Sequence, residues 1–164
     1  MPRDSVPGDS QLIKAPRVLL DDGAFPSAAA RFLVEAGLPQ RCAPFLTFEE
    51  VALGPLTLVR RYGAHQFRAS DLPRLAPFYV LGSDGAGNPL CLDVALGGEI
   101  AMLDHEDCFR TRTFVASSVA TLAEALLILH TVPHKDFVEQ LRPRDPPAAE
   151  SSAFLPIEVS MLLE

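Results

Sequence analysis

Tryptophan is missing from the 164 residues, tyrosine occurs twice and cysteine three times. Cys42, Cys91 and Cys108 are odd in number and widely spaced, which fits neither a disulfide framework nor a zinc site; reduced thiols are expected. Long apolar runs are missing too. The longest, Ala125 to Leu129, falls far short of the roughly 20 residues that a bilayer span needs. The first ten residues are polar and contain proline, without the apolar stretch of a secretory signal. Neither export nor a membrane is therefore expected, and the cytoplasm is the expected place of work. Positive charge is also scarce: 14 Lys and Arg stand against 21 Asp and Glu, a net charge of -7 at pH 7. Phosphate neutralisation needs a basic face, so direct nucleic-acid binding is not expected, whereas a basic partner is compatible with this balance.

What is present suits one globular domain. The chain is 48% hydrophobic and 21% charged, and at this length a hydrophobic core carries the fold without covalent staples. Residues 1–20 are expected to form a loosely ordered segment; over 1–17 only Leu12 and Ile13 are available to dock. A helix is predicted from Pro26 to Gly37, with Ser27 as its cap and Gly37 closing it in the left-handed conformation. Ala29, Phe32, Leu33 and Ala36 fall on its predicted core face. Leu38 and Pro39 are expected to lead away from it, into proline-interrupted chain from Arg41 to Pro55.

Strands are predicted at Leu56–Arg60, Phe78–Leu81, Leu90–Val94, Glu99–Leu103 and Arg112–Val115. Short Gly-rich turns between most of them leave no room for crossovers, so the pairing is expected to be antiparallel. A second helix is predicted from a capping box at Thr121-Leu-Ala-Glu124, with Leu122, Leu126 and Leu129 along one edge. Pro133 interrupts it and His134–Leu141 forms a further helical piece. Residues 143–152 read as a Pro-rich linker, and 153–164 as an apolar segment that docks on the domain or on a partner. The order of helix, strands and helices gives an α+β class: a single antiparallel, or possibly mixed, sheet with helices packed on one face.

Chemistry-bearing patterns are weak. Four histidines and three cysteines come without a nucleophile elbow or comparable signature. His130 and His134 have metal-ligand spacing, but Pro133 disturbs their shared face and exposed histidines at a helix end are expected. Ser83-Asp-Gly-Ala-Gly-Asn88 lacks both the oxygen pattern of a calcium loop and the Gly-Lys ending of a phosphate loop; it reads as a hairpin connection. No catalytic residue, cofactor or metal is predicted. The charge distribution is more informative. No Lys or Arg lies between Arg74 and Arg110, a stretch that holds Asp84, Asp93, Glu99, Asp104, Glu106 and Asp107. Tight turns are expected to gather several of these carboxylates along one side or edge of the sheet. There they form either a partner-binding patch or a solvated face that protects sheet edges.

The ordered set Phe78-Tyr-Val-Leu-Gly-Ser-Asp84, Leu90-Cys-Leu-Asp93, Gly98-Glu-Ile-Ala-Met-Leu-Asp104 and Phe114-Val-Ala-Ser-Ser118 resembles the SUKH superfamily, and most of all its fourth immunity family. Phe32-Leu-Val-Glu-Ala-Gly-Leu-Pro39 is similar to the helix and exit of that branch, and the likeness spans about residues 25–132. Ala116 stands where the family often has Asn, and the family's C-terminal tryptophan is missing. The resemblance implies a SUKH-like α+β domain over 21–142 and a non-enzymatic protein that binds a cognate bacterial toxin domain and occludes its active site. Many such toxins act on nucleic acid, and the six carboxylates would then partly mimic phosphate. The alternatives are a protein-interaction or regulatory module on the same fold, docking through its C-terminal segment, and a small-molecule or peptide pocket between sheet and helix.

Overall fold

Turn chemistry and alternation set the sheet, while apolar faces of the helices decide where it is covered. The computed structural model describes residues 11–164; the expectation for 1–10 lies outside them. In chain order the elements are β1 (Leu12–Ile13), α1 (Ser27–Glu35), β2 (Leu38–Pro39), β3 (Arg41–Cys42), β4 (Leu46–Thr47), α2 (Glu49–Ala52), β5 (Leu56–Thr57), α3 (Leu58–Tyr62) and α4 (Leu72–Leu75). A meander follows, of β6 (Phe78–Ser83), β7 (Pro89–Asp93), β8 (Glu99–Leu103) and β9 (Arg112–Ala116). The chain closes with α5 (Val119–Thr131), α6 (Phe137–Leu141) and α7 (Phe154–Met161). The main sheet has the order β3-β4-β6-β7-β8-β9, with β5 also paired to β6, and every pairing is antiparallel.

Strand side chains alternate between two apolar layers. Tyr79, Leu81, Leu90, Leu92, Ile100 and Met102 enter the main core with Leu33 of α1, Leu122 and Leu126 of α5, Phe137 of α6 and Leu155 of α7. Phe78, Val80, Cys91 and Leu103 point the other way, to a smaller cluster with Leu58, Leu75 and Phe109. The long helices thus share one face, and the short helices α3 and α4 cover the other. Gly82 makes the β4–β6 pairing possible: a Cβ there would sit 1.9 Å from the Thr47 carbonyl oxygen.

Several sequence expectations are corrected. Residues 11–20 are not loose: β1 pairs with β2, Ala15 N–H donates to Leu33 O at 2.9 Å, and Ala15 and Leu19 are buried. Leu38 and Pro39 therefore form a strand and not an exit. Gly37, at φ +79°, lets β1 come close enough that a Cβ would lie 2.3 Å from Ile13 O. Ser27 makes no capping hydrogen bond, and α1 buries Ala30, Leu33 and Val34 while Ala36 is exposed. Leu56–Arg60 is a strand only to Thr57, whose hydroxyl accepts from Arg60 N–H at 3.3 Å and starts α3. The capping box of α5 is Ser118 with Thr121, three residues earlier than predicted.

Residues 143–152 are not a free linker. Asp145, Ala148 and Ala149 are buried, and the Asp145 carboxylate accepts the backbone N–H and the hydroxyl of Ser117, both at 2.7 Å. The apolar end of the chain docks on the domain itself, through Phe154, Leu155 and Val159.

Candidate partner-binding site

A meander reverses direction at every turn, so its first and third turns lie at one end of the sheet and its second at the other. Asp84 belongs to the β6–β7 turn, and Asp104, Glu106 and Asp107 to the β8–β9 turn; these four share one end. Asp93 and Glu99 flank the β7–β8 turn at the opposite end. There Asp93 is buried, caps the 94–96 turn by accepting from Ala95 N–H at 3.0 Å, and lies 3.6 Å from the Arg112 guanidinium, which also bonds Glu99. The expected gathering therefore holds for four of the six. Asp93 and Glu99 are separated from them by the length of the strands and share one cation, Arg112.

At the acidic end the carboxylates first build the turns. Asp84 Oδ1 accepts from Ala86 N–H at 2.9 Å and from Asn88 N–H at 2.8 Å. Asp104 Oδ1 accepts from Glu106 N–H at 2.8 Å. Asp107 accepts from the Thr111 hydroxyl and from the backbone N–H groups of Arg110 and Thr111, which hold its carboxyl below the ordinary range and keep it ionised. Glu106 is exposed, and its carboxylate has no partner among the described residues. The two turns are tied together, because Asn88 Oδ1 accepts from His105 N–H at 3.0 Å and lies 2.8 Å from its Nδ1.

Backbone strain is concentrated at the same end. Among the described residues the non-glycine positions with positive φ are Phe45 at 82°, Cys108 at 61° and Phe109 at 60°. The last two are held by Arg74, which donates to Phe109 O at 2.6 Å and to Cys108 O at 3.4 Å. The Phe109 ring packs on Tyr62 and Phe67 at centroid distances of 5.1 and 5.8 Å. Such conformations cost of order 1–3 kcal/mol each and persist only where their surroundings over-determine them. Here the surroundings fix a turn that presents Glu106.

Phe45 was not singled out from the sequence. It sits in the β3–β4 loop, and a Cβ on Gly85 of the β6–β7 turn would lie 3.3 Å from its own Cβ. Glu158 of α7 was missed as well: burial, and then the Asp84 charge, push its carboxyl above the ordinary range. The exposed Met161, Leu162 and Leu163 follow it, and the apolar C-terminal composition was the signal for them. A groove of about 510 Å³ is lined by residues 41–47 and Leu162. A second, of about 710 Å³, runs between α5 and the paired strands β1 and β2, with His130 and His134 on its wall.

Burial pushes the Cys42 thiol up to about 12 and the Cys91 thiol higher still, so neither is a ready thiolate. Among the described residues no three His, Cys, Asp or Glu side chains group as metal ligands, and no helix is long and apolar enough to cross a membrane.

No curated protein and no solved structure matches the chain. A family model does, over a longer stretch than the motifs alone indicated and ending where α7 begins. The match covers residues 4–154 and is to the SUKH-4 immunity protein, so the chain belongs to the SUKH-4 immunity protein family.

Proposed function

We propose that this immunity protein is a non-enzymatic inhibitor that binds a cognate bacterial toxin domain through the acidic end of its sheet and occludes the toxin's active site. The proposed toxin acts on nucleic acid, whose processing calls for a basic cleft. The carrying observation is the convergence of Asp84, Asp104, Glu106 and Asp107 in two cross-linked turns whose geometry is fixed before any partner arrives. Asp84, Asp104 and Asp107, held by their turns, need little further ordering on association, and with Glu106 their summed field speeds encounter with a basic surface. The same field repels nucleic acid itself. Asp93 and Glu99, at the far end and both engaged by Arg112, take no part.

The test uses a bacterial toxin domain from which the wild-type chain protects cells. Asp104 and Asp107 hold the turn together, so Glu106→Lys is the informative change. It should slow association several-fold at low salt, with the difference fading as salt screens the field, and should weaken protection of cells that express the toxin. One equivalent of the wild-type chain should abolish cleavage or modification of DNA or RNA by that domain. An association rate indifferent both to Glu106→Lys and to salt would refute the electrostatic mechanism.

A further inference from the structure

We infer that Phe45 is the apolar anchor of a composite docking surface at the acidic end of the sheet, and that its occupant is a basic protein surface with a pocket for an aromatic ring. This rests on the immunity reading and names the chemistry of the partner's face. Phe45 is 72% exposed, an unusual state for so large an apolar side chain, and it stands on a left-handed residue that favours glycine. It is therefore held out into solvent at a conformational cost. Beside it, Met161, Leu162 and Leu163 are 63%, 40% and 58% exposed, and Leu162 shares the groove with the Phe45 loop. Exposed apolar side chains in one neighbourhood mark an interaction surface more strongly than the same residues scattered.

The rim decides the occupant. Asp84, Asp104, Glu106 and Asp107 of the two tied turns give this end its negative sign, and the Asp84 turn touches Phe45 through Gly85. Glu158 is coupled to Asp84 as a like charge, and among the described residues no cation pairs with Glu158. Glu158 lies four residues before Leu162, on the same side of the chain end. Arg41 reaches the groove but is engaged by Glu49 at 3.7 Å. A cation from a partner would relieve the Asp84–Glu158 repulsion while the Phe45 ring is buried. A second copy of this chain would bring the same carboxylates, and nucleic acid would bring phosphates; both are disfavoured by sign. The family match stops at residue 154, so Glu158 and Leu162 belong to a part of this surface beyond the matched region.

The test measures binding of the purified chain to a bacterial toxin domain from which it protects cells. Phe45→Ala should raise Kd by about thirtyfold or more, mostly through faster dissociation, and leave the salt dependence of the on-rate unchanged. Phe45→Gly removes the left-handed penalty as well as the ring, so it should melt no lower than wild type and bind as poorly as Phe45→Ala. A Kd for both variants within about threefold of wild type would overturn the anchor while leaving the immunity reading intact. A wild-type chain that fails to bind the domain at all would remove both.

Discussion

Glu158 is the residue at which surface chemistry and stability oppose each other most directly. Its carboxyl is raised by partial burial and then by Asp84, so the ionised form is disfavoured in the folded chain relative to the unfolded one. The sign follows from linkage: a raised carboxyl costs stability above its folded pKa, and the cost disappears as pH falls below the ordinary value of about 4.3. Glu158→Gln should therefore raise the melting temperature at neutral pH and leave it unchanged in acid. Thermal melts of both proteins across that range check this. Equal effects at both pH values would show that the gain is packing and not charge. Asp84 was legible from the sequence as a turn residue, whereas Glu158 was not, since nothing local in Ile157-Glu-Val159 signals a carboxylate seventy-four positions away.

At the scale of elements, the meander and α5 were readable because their signals are local. Glu99–Leu103 is a strand with the predicted bounds, and Leu122, Leu126 and Leu129 face the core as their spacing requires. The two-residue strands β1 to β5 have no periodicity to detect, and only their partners define them. Proline and serine made 143–152 look like a linker, yet two prolines open a tight 3-10 turn that tucks Ala148 and Ala149 inward. Counting turns separates Asp93 and Glu99 from the other four, since consecutive turns of a meander never share an end.

The contact that locks this segment is Asp145 with Ser117, just before the α5 cap. Hydrogen bonds to a charged group contribute about 1.5–3 kcal/mol each, and loss of a buried acceptor strands its donors. Asp145→Ala should cost about 3 kcal/mol in urea denaturation, with Asp145→Asn intermediate. A loss below about 1 kcal/mol would mean that water replaces the carboxylate.

For the molecule as a whole, the C-terminal third is core and not appendage. Phe154, Leu155 and Val159 are buried in the main core, where α7 packs against β9, α6 and the 146–149 turn. Burying each such side chain contributes about 1.5–3 kcal/mol, and together they rival the typical 5–15 kcal/mol margin of a domain. Removing residues 143–164 should abolish the cooperative thermal transition seen by near-ultraviolet circular dichroism, rather than simply detach a partner-binding tail. A truncated chain that still melted sharply would place the cooperative unit in residues 11–142.

Covering both faces of the sheet has one further result. With its strands packed above and below, the sheet meets solvent mainly along the rim where chain reversals occur, and Phe45, Asp84 and Glu106 all sit on that rim. If recognition lies on that rim as proposed, exchanging letters there would rewrite it without disturbing the interior, and a change of adversary would demand no redesign of the scaffold.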